Sequence, residues 1–311
     1  MECWIDPCES ALLMSISWMP QSWTPQATDD GSFTFFSDAF GEAFHSTKGA
    51  RAEAFEKFVA ATDLVRRARG DRLCLLDVCY GLGYNTAAAL ETIWHLNPAC
   101  QVEVYGLELD LTVPQAAAQP SILQGWSEPV QTILLALAQT QAYQGPNLMA
   151  HLLIGDARQT IQSLAALPVQ ADAILFDPFS PRRCPQLWTV EFFQQVARCL
   201  ALGGTLATYS RAASVRTALL QAGLSVGSIP LTPGEALPHE WSQGTVAGFP
   251  GTTLPPLTQM EQEHLHTRAA IPYRDPTLCD LPEQILERHA QEQATTALES
   301  TSSWRRRWQL H

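Results

Sequence analysis

Across residues 73–249 of this chain, short continuous apolar runs alternate with helical patterns, and this alternation narrows the fold more than any other feature. Strand candidates fall at 73–79, 102–107, 150–154, 173–176, 204–209, 224–229 and 244–249, with helices expected near 86–96 and 212–222 and a long, mostly helical insertion after the second strand. Alternating β and α units predict a mostly parallel sheet with helices on both faces, and uninterrupted apolar runs suit strands buried on both sides. The fold class expected is therefore α/β, doubly wound and Rossmann-like. Residues 1–48 have no helical period and read as an N-terminal arm, with a hairpin around Asp30 to Phe35. Residues 49–68 read as one amphipathic helix whose apolar side carries Ala54, Phe55, Phe58, Val59 and Leu64. A central domain would span 49–250. Beyond the break at Pro255-Pro256, a helical extension over 251–311 holds expected helices at 258–268 and 281–298.

Charge limits the partners less than it first suggests. The 311 residues carry a formal net charge of −12, which argues against a general phosphate-backbone binder. The excess is uneven, at −9 over residues 1–110, +1 over 111–230 and −4 over 231–311, so the middle third is nearly neutral. Eight cysteines show no C-x-x-C pair and no Cys/His zinc spacing, so neither a metal nor a disulfide scaffold is expected. The N-terminus lacks a basic region followed by an apolar run, and no stretch approaches the ~18 apolar residues of a membrane span. The expectation is a soluble cytoplasmic protein with no membrane partner. Trp304-Arg305-Arg306-Arg307-Trp308 near the end reads as a helix docking its tryptophans with its charges in solvent, or as a grip for nucleic acid.

The chemistry concentrates at predicted strand ends. In Asp77-Val78-Cys79-Tyr80-Gly81-Leu82-Gly83-Tyr84-Asn85 a strand closes on a carboxylate and G-x-G opens a helix, but Thr86 stands where a dinucleotide fingerprint has its third glycine. Glu108 ends the next strand, where a carboxylate can accept both hydrogen bonds of a ribose diol, and Asp156 ends the third, within reach of an adenine amino group. One such carboxylate alone is an ordinary loop cap. Three at successive strand ends, with no Walker lysine, fit a cationic nucleoside, S-adenosylmethionine (AdoMet). Asp177-Pro178-Phe179 follows the fourth strand and points into the crevice where open α/β sheets bind ligands. It is analogous to the acidic or amide-Pro-Pro-aromatic motif of amine N-methyltransferases, in which a side-chain oxygen and a backbone carbonyl accept the amine's hydrogens.

A wider series carries a resemblance: Asp30-Gly31-Ser32-x-Thr34, His45-Ser46-x-x-Gly49-Ala50-x-x-Glu53, Asp77 to Asn85, Gly155-Asp156-Ala157-Arg158, Asp177-x-Phe179-x-Pro181 with Leu187-Trp188-Thr189, and Ala207-Thr208-Tyr209-Ser210 with Val215-Arg216. Over roughly residues 25–230 the chain resembles the MnmC-like methyltransferase family in its stand-alone form. The resemblance implies AdoMet-dependent methylation of the aminomethyl nitrogen on a tRNA wobble uridine, giving 5-methylaminomethyl-uridine or its 2-thio form. Bifunctional relatives make that amine with an FAD-dependent domain; none fits here, so FAD is not expected. Two departures stand out. Gly234-Glu235-Ala236 and His239-Glu240-Trp241 replace a Gly-Lys-Arg segment, and the tail after Pro250 has no counterpart in the bifunctional form.

The candidate residues are therefore Asp177 as the catalytic group; Asp77, Tyr80, Gly81, Gly83, Asn85, Glu108 and Asp156 for the cofactor; and Pro178, Phe179, Arg182 and Arg183 for substrate. Asp177 is expected to orient the amine by accepting its hydrogen bond and to pass the proton outward through water. Phe179 is expected to pack on the base or wall the pocket, and the arginine pair to hold phosphates or stand as a solvated basic pair. Two readings stand for each of three others: His45 as proton shuttle or structural histidine, Glu53 as cleft or surface carboxylate, and Trp188 as core or stacking aromatic. Competing functions are methylation of a free amine or protein, an aminopropyl transferase, which the Asp177–Pro181 segment matches less well, and a non-catalytic scaffold of the same fold.

Overall fold

The computed structural model describes residues 22–231 and 241–310. The departures noted at 234–236 and at His239-Glu240 lie outside these residues. An eight-stranded sheet is built from β5 (Arg72–Val78), β6 (Gln101–Glu108), β7 (Ala142–Gly145), β8 (Leu148–Ile154), β9 (Ala171–Phe176), β10 (Leu200–Thr208), β11 (Ser225–Ile229) and β12 (Gly244–Gly248). Their order is β11-β12-β10-β9-β5-β6-β8-β7. The five strands from β10 to β8 run parallel, while β12 is antiparallel to both its neighbours and β7 runs antiparallel at the far edge. The Rossmann-like α/β expectation holds.

Helices cover both faces, as continuous apolar strands require. One face packs under α1 (Tyr84–Leu96) and α2 (Glu128–Thr140). The other packs under α3 (Ala157–Ala165), α4 (Val190–Arg198) and α5 (Ala213–Gln221). The N-terminal segment folds onto the first face: β1 (Gln26–Ala27) pairs with β2 (Phe33–Thr34), β3 (Phe36–Ser37) with β4 (Glu42–Ala43), and Phe35 between them is fully buried. Beyond the sheet, α6 (Gln259–His264), α7 (Pro282–Thr295) and α8 (Thr301–Arg307) pack back, and Tyr273, Leu278 and Ile285 join the second core. Among the described residues, no helix is long and apolar enough to cross a membrane.

Two expectations need correction. The single helix over 49–68 is instead a short α turn, Ala50–Glu53, a π-helical stretch, Ala54–Val59, and a second turn, Leu64–Arg67, broken where Asp63 takes a left-handed backbone with φ of 57°. The expected apolar side still faces inward at Ala54, Phe58, Val59 and Leu64. The helix expected over 258–268 stops at His264. The tail docks as its first reading expects: Trp304 is buried with its indole N–H donating to the Met260 carbonyl, and of the three arginines Arg307 is held by Glu263 and Glu299.

Candidate active site

The carboxyl ends of β5 and β9 meet where the connections to β6 and β10 leave in opposite directions, the switch point at which open α/β sheets form their crevice. Asp77, next to last in β5, is fully buried. Its Oδ2 accepts the Thr86 hydroxyl at 2.7 Å, while Oδ1 has no partner among the described residues. Burial holds this carboxyl up at about 7, with the Glu108 charge adding to the rise and the Thr86 hydrogen bonds opposing it.

The turn that follows is sharply wound, with left-handed backbone at Cys79, Gly81 and Gly83 (φ 68°, 54° and 81°). A Cβ on Gly83 would lie 2.6 Å from the Tyr80 hydroxyl, so space and backbone both demand glycine there. Tyr80 is buried and wedged between this turn and Gly106, and its N–H donates to the Leu107 carbonyl. Glu108, at the end of β6, accepts Gly81 N–H on Oε2 and Asp110 N–H on Oε1, both at 2.8 Å. One carboxylate thus fixes two loops, and burial raises it to about 7.

Asp177 follows β9 directly. Its N–H donates to the Val78 carbonyl and its Oδ2 accepts the Asn85 amide at 2.9 Å. Asn85, expected at the cofactor, therefore also fixes the catalytic candidate. Burial first, then the Glu53 charge, raises the Asp177 carboxyl to about 8 against the pull of Asn85 and Lys57. Glu53, whose charge adds to that rise, is ion-paired with Lys57.

The loop after Asp177 is pinned from several sides. Pro178 is buried and its carbonyl accepts the Tyr209 hydroxyl at 2.9 Å; the Phe179 carbonyl accepts the Trp188 indole N–H at 2.8 Å. The Phe179 ring stacks on Phe40 at 4.6 Å and meets Phe44 edge-on at 4.9 Å. Glu42 Oε2 accepts both the N–H and the hydroxyl of Ser180, at 3.0 and 2.8 Å. Trp188 is completely buried, so it is a core aromatic and does not stack on a base. Arg182 and Arg183 are exposed beyond Ser180, and among the described residues neither is drawn into a salt bridge.

Two candidates are more engaged than their sequence suggests. Asp156 caps α3 and its carboxylate is gripped by the buried Arg158. His45 packs edge-on against Tyr84, its backbone N–H donates to the Thr34 hydroxyl at 3.0 Å, and burial lowers its ring to about 4 despite the Glu53 and Asp30 charges. Sequence reading assigned no role to Glu42, Ser180, Tyr209 or Thr86. Tyr209 stood inside a quoted motif, whereas Glu42 lies 138 residues from its partner and gave no local signal.

Comparison with known proteins agrees with this geometry. A family profile described as S-adenosyl-L-methionine-dependent methyltransferase matches residues 120–235. The chain is 32% identical over 212 residues to the tRNA 5-methylaminomethyl-2-thiouridine biosynthesis bifunctional protein MnmC of Azoarcus sp. (strain BH72), covering 65% of this chain and 32% of that protein. It is 30% identical over 251 residues to the protein of the same name from Pseudomonas paraeruginosa, covering 76% and 37%. The chain thus spans about a third of the length of these relatives. The crystal structure of MnmC2 from Aquifex aeolicus superposes with a TM-score of 0.76 at 30% identity, over 92% of this chain and 90% of that one. Fold and sequence likeness converge: the chain belongs to the MnmC2 family of AdoMet-dependent methyltransferases.

Proposed function

We propose that this chain methylates the aminomethyl nitrogen of a tRNA wobble uridine, giving 5-methylaminomethyl-uridine or its 2-thio form. The observation that carries the reading is Asp177, held by Asn85 at the switch point and followed by the Phe179 aromatic wall. The names of the curated relatives support the substrate.

The residues fit AdoMet. The buried, unpartnered Asp77 Oδ1 suits a donor from the cationic end of the cofactor. Glu108 retains lone pairs for the ribose hydroxyls, and Asp156 has room for one more donor, the adenine amino group. Tyr80, Gly81 and Gly83 form the turn on which it would rest. When bound, AdoMet supplies an electrophilic methyl group on a sulfonium sulfur.

Catalysis then depends on presenting a neutral amine in line, and alignment of this kind can contribute roughly 7–11 kcal/mol. With the Asn85 amide on Oδ2, Asp177 offers Oδ1 to the amine. An amine with a lysine-like pKa of about 10.4 would lose its proton to a carboxyl at its ordinary value at a cost of about 9 kcal/mol. Burial raises Asp177 to about 8 in the unliganded chain, which lowers that cost. Burial thus turns a poor base into a usable one, and water carries the proton outward. Phe179 packs on the base, and Arg182 and Arg183 meet phosphates flanking it.

The test is to incubate the protein with methyl-labelled AdoMet and tRNA bearing aminomethyl-uridine, beside a panel of small amines, and to identify the labelled nucleoside. Label in 5-methylaminomethyl-uridine supports the reading; label confined to small amines contradicts it.

A further inference from the structure

The segment after the sheet is tied to the cofactor side of the cleft by a buried charge network. Arg158, 1% exposed, engages every nitrogen of its guanidinium. Nε and Nη2 grip the Asp156 carboxylate, with Nη2 to Oδ2 at 2.7 Å. Nη1 reaches Asp275 Oδ2 at 2.8 Å and the Asp280 carbonyl at 2.9 Å. Asp275 is fully buried, its Oδ1 accepts the backbone N–H groups of Cys279 and Asp280, and its own N–H donates to Glu191. Capping α3 does not need any of this, because the Asp156 side chain already accepts the Arg158 backbone N–H. Two buried charges, Arg158 and Asp275, beside the partly exposed Asp156 are costly to assemble and justify themselves best where orientation matters.

We infer that Arg158 and Asp275 are positioning residues for AdoMet: the segment 275–280, acting through Arg158, fixes the Asp156 carboxylate toward the adenine. This rests on the AdoMet reading of the cleft. It also gives the C-terminal extension a role in cofactor affinity rather than in tRNA recognition.

Removing one partner alone would strand a buried charge, so the informative variant is Arg158→Met/Asp275→Leu, which replaces the pair by apolar side chains. It should keep its circular dichroism spectrum and a single cooperative melt. Its Kd for AdoMet by calorimetry should rise about tenfold, while kcat at saturating AdoMet and KM for tRNA stay within about twofold. Asp156→Asn should weaken AdoMet binding by a similar factor in the wild type but by less than about twofold in the double variant, because the two changes act through one contact. If the double variant fails to fold, Asp275→Asn, which keeps Oδ1 for the two backbone N–H groups, is measured below its melting temperature against the same expectation. AdoMet affinity unchanged in the folded variant, or Asp156→Asn effects that multiply independently, would overturn the inference. Absence of AdoMet binding by the wild-type chain would instead overturn the cofactor reading beneath it.

Discussion

Three carboxyls stand at the centre of the proposed chemistry, and their environments give them one common property. Asp77 and Glu108 are raised to about 7 and Asp177 to about 8, in each case chiefly by burial. The folded chain therefore holds protons that the unfolded chain has released above about pH 4, so the unliganded protein loses stability as pH rises from there through about 8. A cationic ligand favours the ionised forms and reverses that loss. AdoMet binding at pH 6.5 should thus release protons, read by calorimetry in buffers of differing ionisation enthalpy, and AdoMet should raise Tm more at pH 8 than at pH 6. Binding enthalpy independent of the buffer would contradict this. Asp30 shows the opposite sign. Burial raises its carboxyl, but hydrogen bonds from Ser32, Ala52 and Thr28 outweigh that and bring it down to about 2. Its contribution is full above about pH 4 and fades as pH falls toward 2.

Between elements, the β3–β4 hairpin and the loop after β9 are joined by Glu42 and Ser180 beside the Phe40–Phe179 stack. Glu42→Ala leaves the Ser180 N–H without its acceptor, a loss of about 1–3 kcal/mol at the loop. KM for tRNA should rise roughly fivefold or more while Kd for AdoMet stays within about twofold; steady-state kinetics and calorimetry separate the two. An effect on AdoMet alone would contradict the assignment. This latch also marks the limit of what the sequence discloses. The central strands were legible because burial on both faces makes them continuous apolar runs, and the Gly turn because backbone and space leave no alternative at Gly83. Edge strand β7 was missed because Ala142–Gly145 is half exposed and too short to show a pattern. The break at Asp63 was missed because the apolar spacing continues across it. Asp77, Glu108 and Asp177 could be named from strand ends, but the Asn85–Asp177 and Glu42–Ser180 contacts join residues 92 and 138 positions apart, which no local pattern encodes.

At the scale of the whole molecule, the net charge of −12 leaves few places for a polyanion to bind. Arg307 is committed to Glu263 and Glu299, whereas Arg182 and Arg183 stand exposed on the loop that follows Asp177. tRNA binding should therefore depend on few phosphates. Arg182→Ala/Arg183→Ala should reduce the slope of log Kobs against log salt by about 1–2, and an unchanged slope would remove the pair from the interface. The proposed role of Asp177 is tested by comparing wild type with Asp177→Asn. AdoMet binding by calorimetry is measured beside single-turnover methylation of tRNA bearing aminomethyl-uridine. Affinity within about threefold and a rate lower by about 100-fold or more is the predicted result; an undiminished rate would contradict the account.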